Sequence, residues 1–194
     1  PTLINNTVYG NEALVNGGGL RSERSNTTVI NTIFWDNISP VGPQVALTEW
    51  NGTTGILDIS YSDVMGGPGL IHVDPNQLLL WGDGNIDDDP LFKNPDVGNF
   101  NLTWGSPCIN TGDPDLPPDP DSTIADIGAK LFEQYVYVDM VPNNPPVTVP
   151  AGGWFTYTGI LGNNSDRSFN VDVWLMLKLP NGFTYGPLNQ FNDV

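Results

Sequence analysis

The sequence predicts an all-β chain: the end coils and cap of a parallel β-helix, followed by a partial antiparallel β-sandwich. Three observations carry this. First, a motif recurs: Leu3-Ile4-Asn5-Asn6-Thr7-Val8-Tyr9-Gly10-Asn11 lies without a gap over Val29-Ile30-Asn31-Thr32-Ile33-Phe34-Trp35-Asp36-Asn37. The offset is about 26 residues, inside the range that marks stacked repeats. Second, no window keeps apolar residues at helical spacing for three turns, and Gly 22 and Pro 18 among 194 residues break the chain into short Val/Ile/Thr/Phe/Tyr runs, the pattern of brief strands between tight turns. Third, Phe169 to Leu179 alternates, with Phe169, Val171, Val173, Leu175, Leu177 and Leu179 on one side and Asn170, Asp172, Trp174, Met176 and Lys178 on the other, as a half-buried antiparallel strand does.

A third copy of the repeat, Ile59-Ser60-Tyr61-Ser62-Asp63-Val64-Met65, follows at an offset of about 30 and runs into Gly66-Gly67. Val8, Phe34 and Val64 are therefore expected to stack in successive coils. Between the first two copies, Gly17-Gly18-Gly19-Leu20-Arg21-Ser22 supplies a bend and another extended segment. Asn5 and Asn31, like Asn11 and Asn37, fall at matching places and suit coil corners, where Asn tolerates left-handed backbone angles and bonds its neighbour in the stack. An ordinary β-sandwich is the alternative. After Trp35, the stretch Ile38 to Gly55 reads as a long excursion that protrudes and carries Trp50, either a carbohydrate contact or an aromatic packing its own loop.

The composition narrows function. Six basic residues against 22 acidic ones give −16, which repels nucleic acid and anionic membrane surfaces, and the longest apolar runs are far too short to insert in a membrane. Cys108 is the only cysteine, which excludes disulfide frameworks and multi-cysteine zinc sites. Lying between Pro107 and Ile109 with no basic neighbour, it reads as a small buried hydrophobe. His72, the only histidine, reads as structural, on a strand that ends in a turn. A start at Pro1, without Met or a leader, is expected of a piece of a longer secreted protein. Asn-X-Ser/Thr sequons at Asn5, Asn26, Asn37, Asn51, Asn101 and Asn163 are read as composition.

From Asn85 to Ala129 the chain carries acidic turns. Asp87, Asp88 and Asp89 precede Pro90, and Asp113, Asp115, Asp119, Asp121 and Asp126 are interleaved with prolines. Like charges about 4 Å apart repel by about 1 kcal/mol even in water, so a counter-ion is expected. Calcium fits, with those five aspartates as candidate metal ligands; a solvated acidic turn with no ion is the other reading.

The ordered set GGGL, NNTVYGN, NTIFWDN, ISYSDVMGG, GNIDDDPLF, NFNLTWGSPCINTGDPD and ADIGA resembles the closing coils of bacterial secreted right-handed parallel β-helix proteins of pectate-lyase-like architecture. The resemblance covers about residues 1–129 and departs at Lys130-Leu131. It implies a right-handed coil and an extracellular or cell-surface location, but no activity, since this fold carries lyases, hydrolases, adhesins and structural proteins. Lyases of this architecture use an Arg or Lys base beside calcium, and the coils offer only Arg21, Arg24 and Lys93. Hydrolases need inward-leaning carboxylates, which Thr7 to Tyr9 and Thr32 to Trp35 lack.

Residues 1–133 are thus expected to be coils and cap, 134–146 a proline-stiffened linker, and 147–194 part of an immunoglobulin-like sandwich, to which the last segments bear a general resemblance. Four strands are fewer than such a module needs, so its open apolar face is expected to be covered by more of the same chain or by self-association. The functional expectation is a non-catalytic structural or adhesive protein that can contact polysaccharide. The C-terminal part of a polysaccharide lyase or glycoside hydrolase is one alternative, and the protomer of an extracellular filament another.

Overall fold

The computed structural model describes residues 1–143, 157–163, 173–178 and 184–191. Two compact units, Pro1–Glu133 and Gln134–Val194, divide the chain. In the first unit each repeat becomes one coil of three short strands. β1 (Thr2–Ile4), β2 (Thr7–Tyr9) and β3 (Leu20–Glu23) form the first coil; β4 (Asn26–Ile30), β5 (Ile33–Trp35) and β6 (Val45–Thr48) form the second. β7 (Ile56–Ser60), β8 (Asp63–Val64) and β9 (Ile71–Val73) form the third, and β10 (Leu78–Trp81) opens a fourth. Like strands stack in parallel into three sheets, β1-β4-β7-β10, β2-β5-β8 and β3-β6-β9. This is a parallel β-solenoid of about three turns.

The register follows the repeat. Val8 pairs with Phe34, and Phe34 with Val64. Leu3, Val29, Ile59 and Trp81 form a second inward column, and Leu20, Val45 and Ile71 a third. Together they build one core in which Val29, Phe34, Val45, Leu57, Ile59 and Val64 are wholly buried, each such side chain contributing about 1.5–3 kcal/mol.

The corners explain why asparagine recurs. Asn5 and Asn31 take positive φ, 55° and 49°, a conformation that costs Asn less than most residues. In the third coil, Tyr61 takes the same turn with φ 46°. At the next corner, the buried Asn37 carboxamide accepts from the Asn11 backbone N–H and side-chain Nδ2 through Oδ1, each at 3.0 Å, and donates through Nδ2 to Val8 O and Gln44 Oε1, each at 2.8 Å. Replacing Asn37 by Ala leaves buried partners unbonded and is expected to lower stability by about 2 kcal/mol or more; urea titration of the wild type and variant measures it.

Residues 38–55 do not form a free excursion. Ile38 bridges to Glu12 and Val41 to Asn16, and β6 is the central strand of the third sheet, with Val45, Ala46 and Leu47 buried. The apolar run was needed inside the coil, and only the turn after Thr48 projects.

The acidic segment likewise differs from the expected end cap: it is a strap along the outer side of the second sheet. β11 (Phe92–Asn94) and β12 (Asn99–Leu102) form an antiparallel hairpin whose Phe92 and Phe100 rings lie 5.7 and 5.3 Å from the ring of Tyr9 in the first coil. Ile33 points outward and joins Leu102, Cys108 and Ile127 in a second small core. Gly128 N–H donates to Asn31 O at 2.9 Å and Ala129 N–H to Thr7 Oγ1 at 3.1 Å, so the strap reaches back from the third coil to the first.

In the second unit, β13 (Val136–Pro142) pairs antiparallel with β14 (Tyr157–Asn163), and β15 (Val173–Lys178) with β16 (Thr184–Phe191). β13 occupies most of the stretch read as a linker, because Val136, Val138 and Val141 continue a strand pattern up to Pro142. The expected strand at Val147–Val149 and the side chains of the alternating apolar face lie outside the described residues. Among the described residues no helix is long and apolar enough to cross a membrane.

Candidate functional site

The outer side of the third sheet gathers most of the first unit's few basic groups. The ladder sets Arg21, Ala46 and His72 side by side, with Glu23 and Thr48 in the neighbouring row. The three ion pairs among the described residues all lie here: Arg21 with Glu23, Arg24 with Glu23, and His72 Nε2 with Asp74 Oδ1 at 2.8 Å. Arg21 Nε also donates to Thr48 Oγ1 at 3.3 Å. Asp74 accepts the Glu49 backbone N–H as well as His72, and these two hydrogen bonds hold its carboxyl below the usual range.

The turn that follows β6 projects from this face and carries Trp50, whose side of the coil is set by the corner rather than by a long loop. Its indole is about half exposed, and the Arg24 guanidinium from the coil below lies 4.9 Å from the ring centroid, a stacked cation worth about 0.5–1 kcal/mol at an exposed site. The turn after β9, in the next coil, clamps this one from outside. Glu49 N–H donates to Asp74 Oδ2 at 2.8 Å, Gln77 Nε2 to Thr53 O at 2.9 Å, and Gly55 N–H to Gln77 Oε1 at 2.6 Å. The backbone of the turn is thus fixed and its half-exposed indole has one guanidinium against it, a combination suited to stacking on a sugar ring with hydrogen-bonding groups nearby.

The five candidate aspartates of the strap are spread along a loop, and four of them, Asp113, Asp119, Asp121 and Asp126, accept backbone N–H groups. Asp113 Oδ1 accepts Asp115 N–H at 2.9 Å, Asp119 Oδ2 accepts Asp126 N–H at 3.0 Å, and Asp121 Oδ1 accepts both Thr123 N–H and Thr123 Oγ1. Asp126 is nearly buried and receives Asn110 N–H at 2.8 Å and Phe132 N–H. Burial pushes the Asp126 carboxyl up to about 6 despite those two donors, and Asp119 is raised for the same first reason. Among the described residues no three His, Cys, Asp or Glu side chains gather into a metal-holding group.

Sequence reasoning missed Asp63. It lies on β8 in the outward row of Thr7 and Ile33, fully buried beneath the strap. Cys108 Sγ donates to its Oδ2 at 3.3 Å, and Asp88 N–H approaches Oδ1 at 3.4 Å. Burial, with Asp87 and Asp88 nearby, pushes Asp63 up to about 7. Burial and the Asp63 carboxylate together push the thiol up, so Cys108 is an inert packing group and a donor. The available signal was one carboxylate at a repeat position occupied by Thr7 and Ile33 in the other copies. A cleft of about 390 Å³ between Ile38, Pro43, Met65 and Leu70 is mainly apolar; its amides, Asn37 and Gln44, bond each other.

No protein-family model matches the chain, and neither a curated protein nor a solved structure shows significant similarity to it.

Proposed function

We propose that this chain is a non-catalytic structural or adhesive module of a secreted or cell-surface protein, and that its adhesive contact is the Trp50 turn, which takes a polysaccharide. One observation carries the reading: a half-exposed indole, with the Arg24 guanidinium of one neighbouring coil against it, sits on a turn whose backbone is bonded by Asp74 and Gln77 of the other. The buried polar groups support it from the other direction, since Asn37, Asp63 and Asp126 are occupied in holding coil to coil or strap to coil. The pectate-lyase-like and immunoglobulin-like identities belong to this proposal too.

Affinity electrophoresis against neutral and acidic polysaccharides tests the contact. Wild-type mobility is expected to be retarded by at least one polymer, and Trp50→Ala to lose most of that retardation with its unfolding midpoint unchanged, because base and sugar stacking platforms lose much of their binding when the ring is removed. Turnover of a retained polymer would replace this reading with the lyase or hydrolase one.

Calcium at the strap is part of the same proposal. The half-exposed Asp113 and exposed Asp115 are the carboxylates best placed to meet an ion from solvent. Calcium is expected to release heat in calorimetry and to raise the melting temperature of chelator-treated protein. Absence of both effects would leave a loop whose aspartates serve the backbone alone.

A further inference from the structure

Asn-Gly occurs in the described chain at Asn16-Gly17 and Asn51-Gly52, and the fold treats the two pairs oppositely. Both glycines have positive φ, 65° at Gly17 and 72° at Gly52. Gly17 is packed: a side-chain carbon there would lie 2.5 Å from Leu20 O, and its N–H is committed to Val41 O at 3.0 Å in the coil ladder. Gly52 stands in open space, with no atom within 4 Å of such a carbon. Its N–H points at a side chain, donating to Glu49 Oε1 at 2.7 Å. Asn51 is exposed, in the left-handed conformation with φ 53°, and no hydrogen bond among the described residues holds its carboxamide.

A peptide nitrogen next to a free carboxamide, with room around it and a carboxylate on its proton, is set up for attack on that carboxamide. We propose that Asn51-Gly52 is a self-modification site, at which Glu49 acts as the base for conversion of Asn51 to aspartate and isoaspartate. Glu49 takes the Gly52 amide proton while the nitrogen forms a bond to Asn51 Cγ. The tetrahedral centre then collapses, the Cγ–N bond to the carboxamide nitrogen breaks, and that nitrogen leaves as ammonia with the proton returned from Glu49. The resulting cyclic imide adds one water at either carbonyl, opening to aspartate or to the isoaspartyl linkage. Nothing is oxidised or reduced, and water is the only co-reactant.

The reaction places a new negative charge next to Trp50 and Arg24, and the isoaspartyl product lengthens the backbone of the turn that holds them. The site is therefore a slow, irreversible alteration of that surface. It stands on the geometry of the turn whether or not the turn binds a saccharide.

The folded protein, incubated under mildly alkaline conditions, is tested by peptide mapping with mass spectrometry and by labelling with an isoaspartyl methyltransferase. The amide-to-acid mass gain and the label are expected in the Asn51 peptide and not in the Asn16 peptide, whereas protein unfolded in urea should convert both. Glu49→Gln, an exposed substitution that keeps an acceptor for Gly52 N–H, is expected to slow conversion at Asn51 by about tenfold or more, within what a positioned base supplies. Circular dichroism confirms that the variant is folded. An Asn51 peptide that keeps its amide in the folded protein while converting in urea overturns the proposal. So does a Glu49→Gln rate equal to wild type.

Discussion

Truncation of Phe34 to Ala is expected to destabilise the first unit by about 3–5 kcal/mol, the range for removing a large aromatic from a packed core. Phe34 is the central member of the inward column Val8, Phe34, Val64 and is wholly buried. A solenoid coil touches only its neighbours, so a cavity in the middle coil loosens both interfaces at once and cannot be filled from a distant layer. The cavity would also lie against Val29, Leu57 and Ile59 of the same core. Guanidinium titration followed by a signal from the first unit should show a lower midpoint with little change in slope. A loss below about 1 kcal/mol would mean that the column is not the packing unit described.

The repeat made the coils legible. The offset between Asn5 and Asn31 sets the residues that follow in register, so Val8 pairs with Phe34, and the longer offset of the third copy sets Phe34 against Val64 in the same way. Corner chemistry was legible for the same reason, since Asn11 and Asn37 meet only if the coils stack. The strap was not. Its turns and prolines mark where the chain bends, but its anchor, Ala129 on Thr7, joins residues 122 apart, and no local pattern encodes such a contact. The sequence marked Trp50 as a loop aromatic but left open whether it is exposed or packs its own loop, and its Arg24 backing needed the coil geometry that sets one corner over the next. Asp63 was hidden twice over: its burial depends on the strap, and its partner Cys108 lies 45 residues away.

Stability of the first unit is expected to rise as the pH falls from about 7.5 to 6, and Asp63→Asn to flatten that rise. Asp63 is enclosed by Cys108 and Asp88, with Asp87 close by, and none of the ion pairs among the described residues reaches it. Its charged form is therefore penalised by burial and by like charge, and the folded state holds the proton up to about 7. An unfolded aspartate releases it near 3.9. Between those values the folded state binds the extra proton, so the contribution is fully present below about pH 4 and is lost as pH rises through 7, with a slope of at most about 1.4 kcal/mol per pH unit. Asp126, raised to about 6, adds the same sign of dependence at lower pH, which leaves the interval between 6 and 7.5 mainly to Asp63. Asparagine preserves shape and keeps an acceptor for Asp88 N–H but cannot ionise. Melting temperatures of wild type and Asp63→Asn measured across that interval should therefore converge in acid and separate in base, the variant becoming the more stable of the two. Parallel curves would show that Asp63 is not the group that titrates beneath the strap.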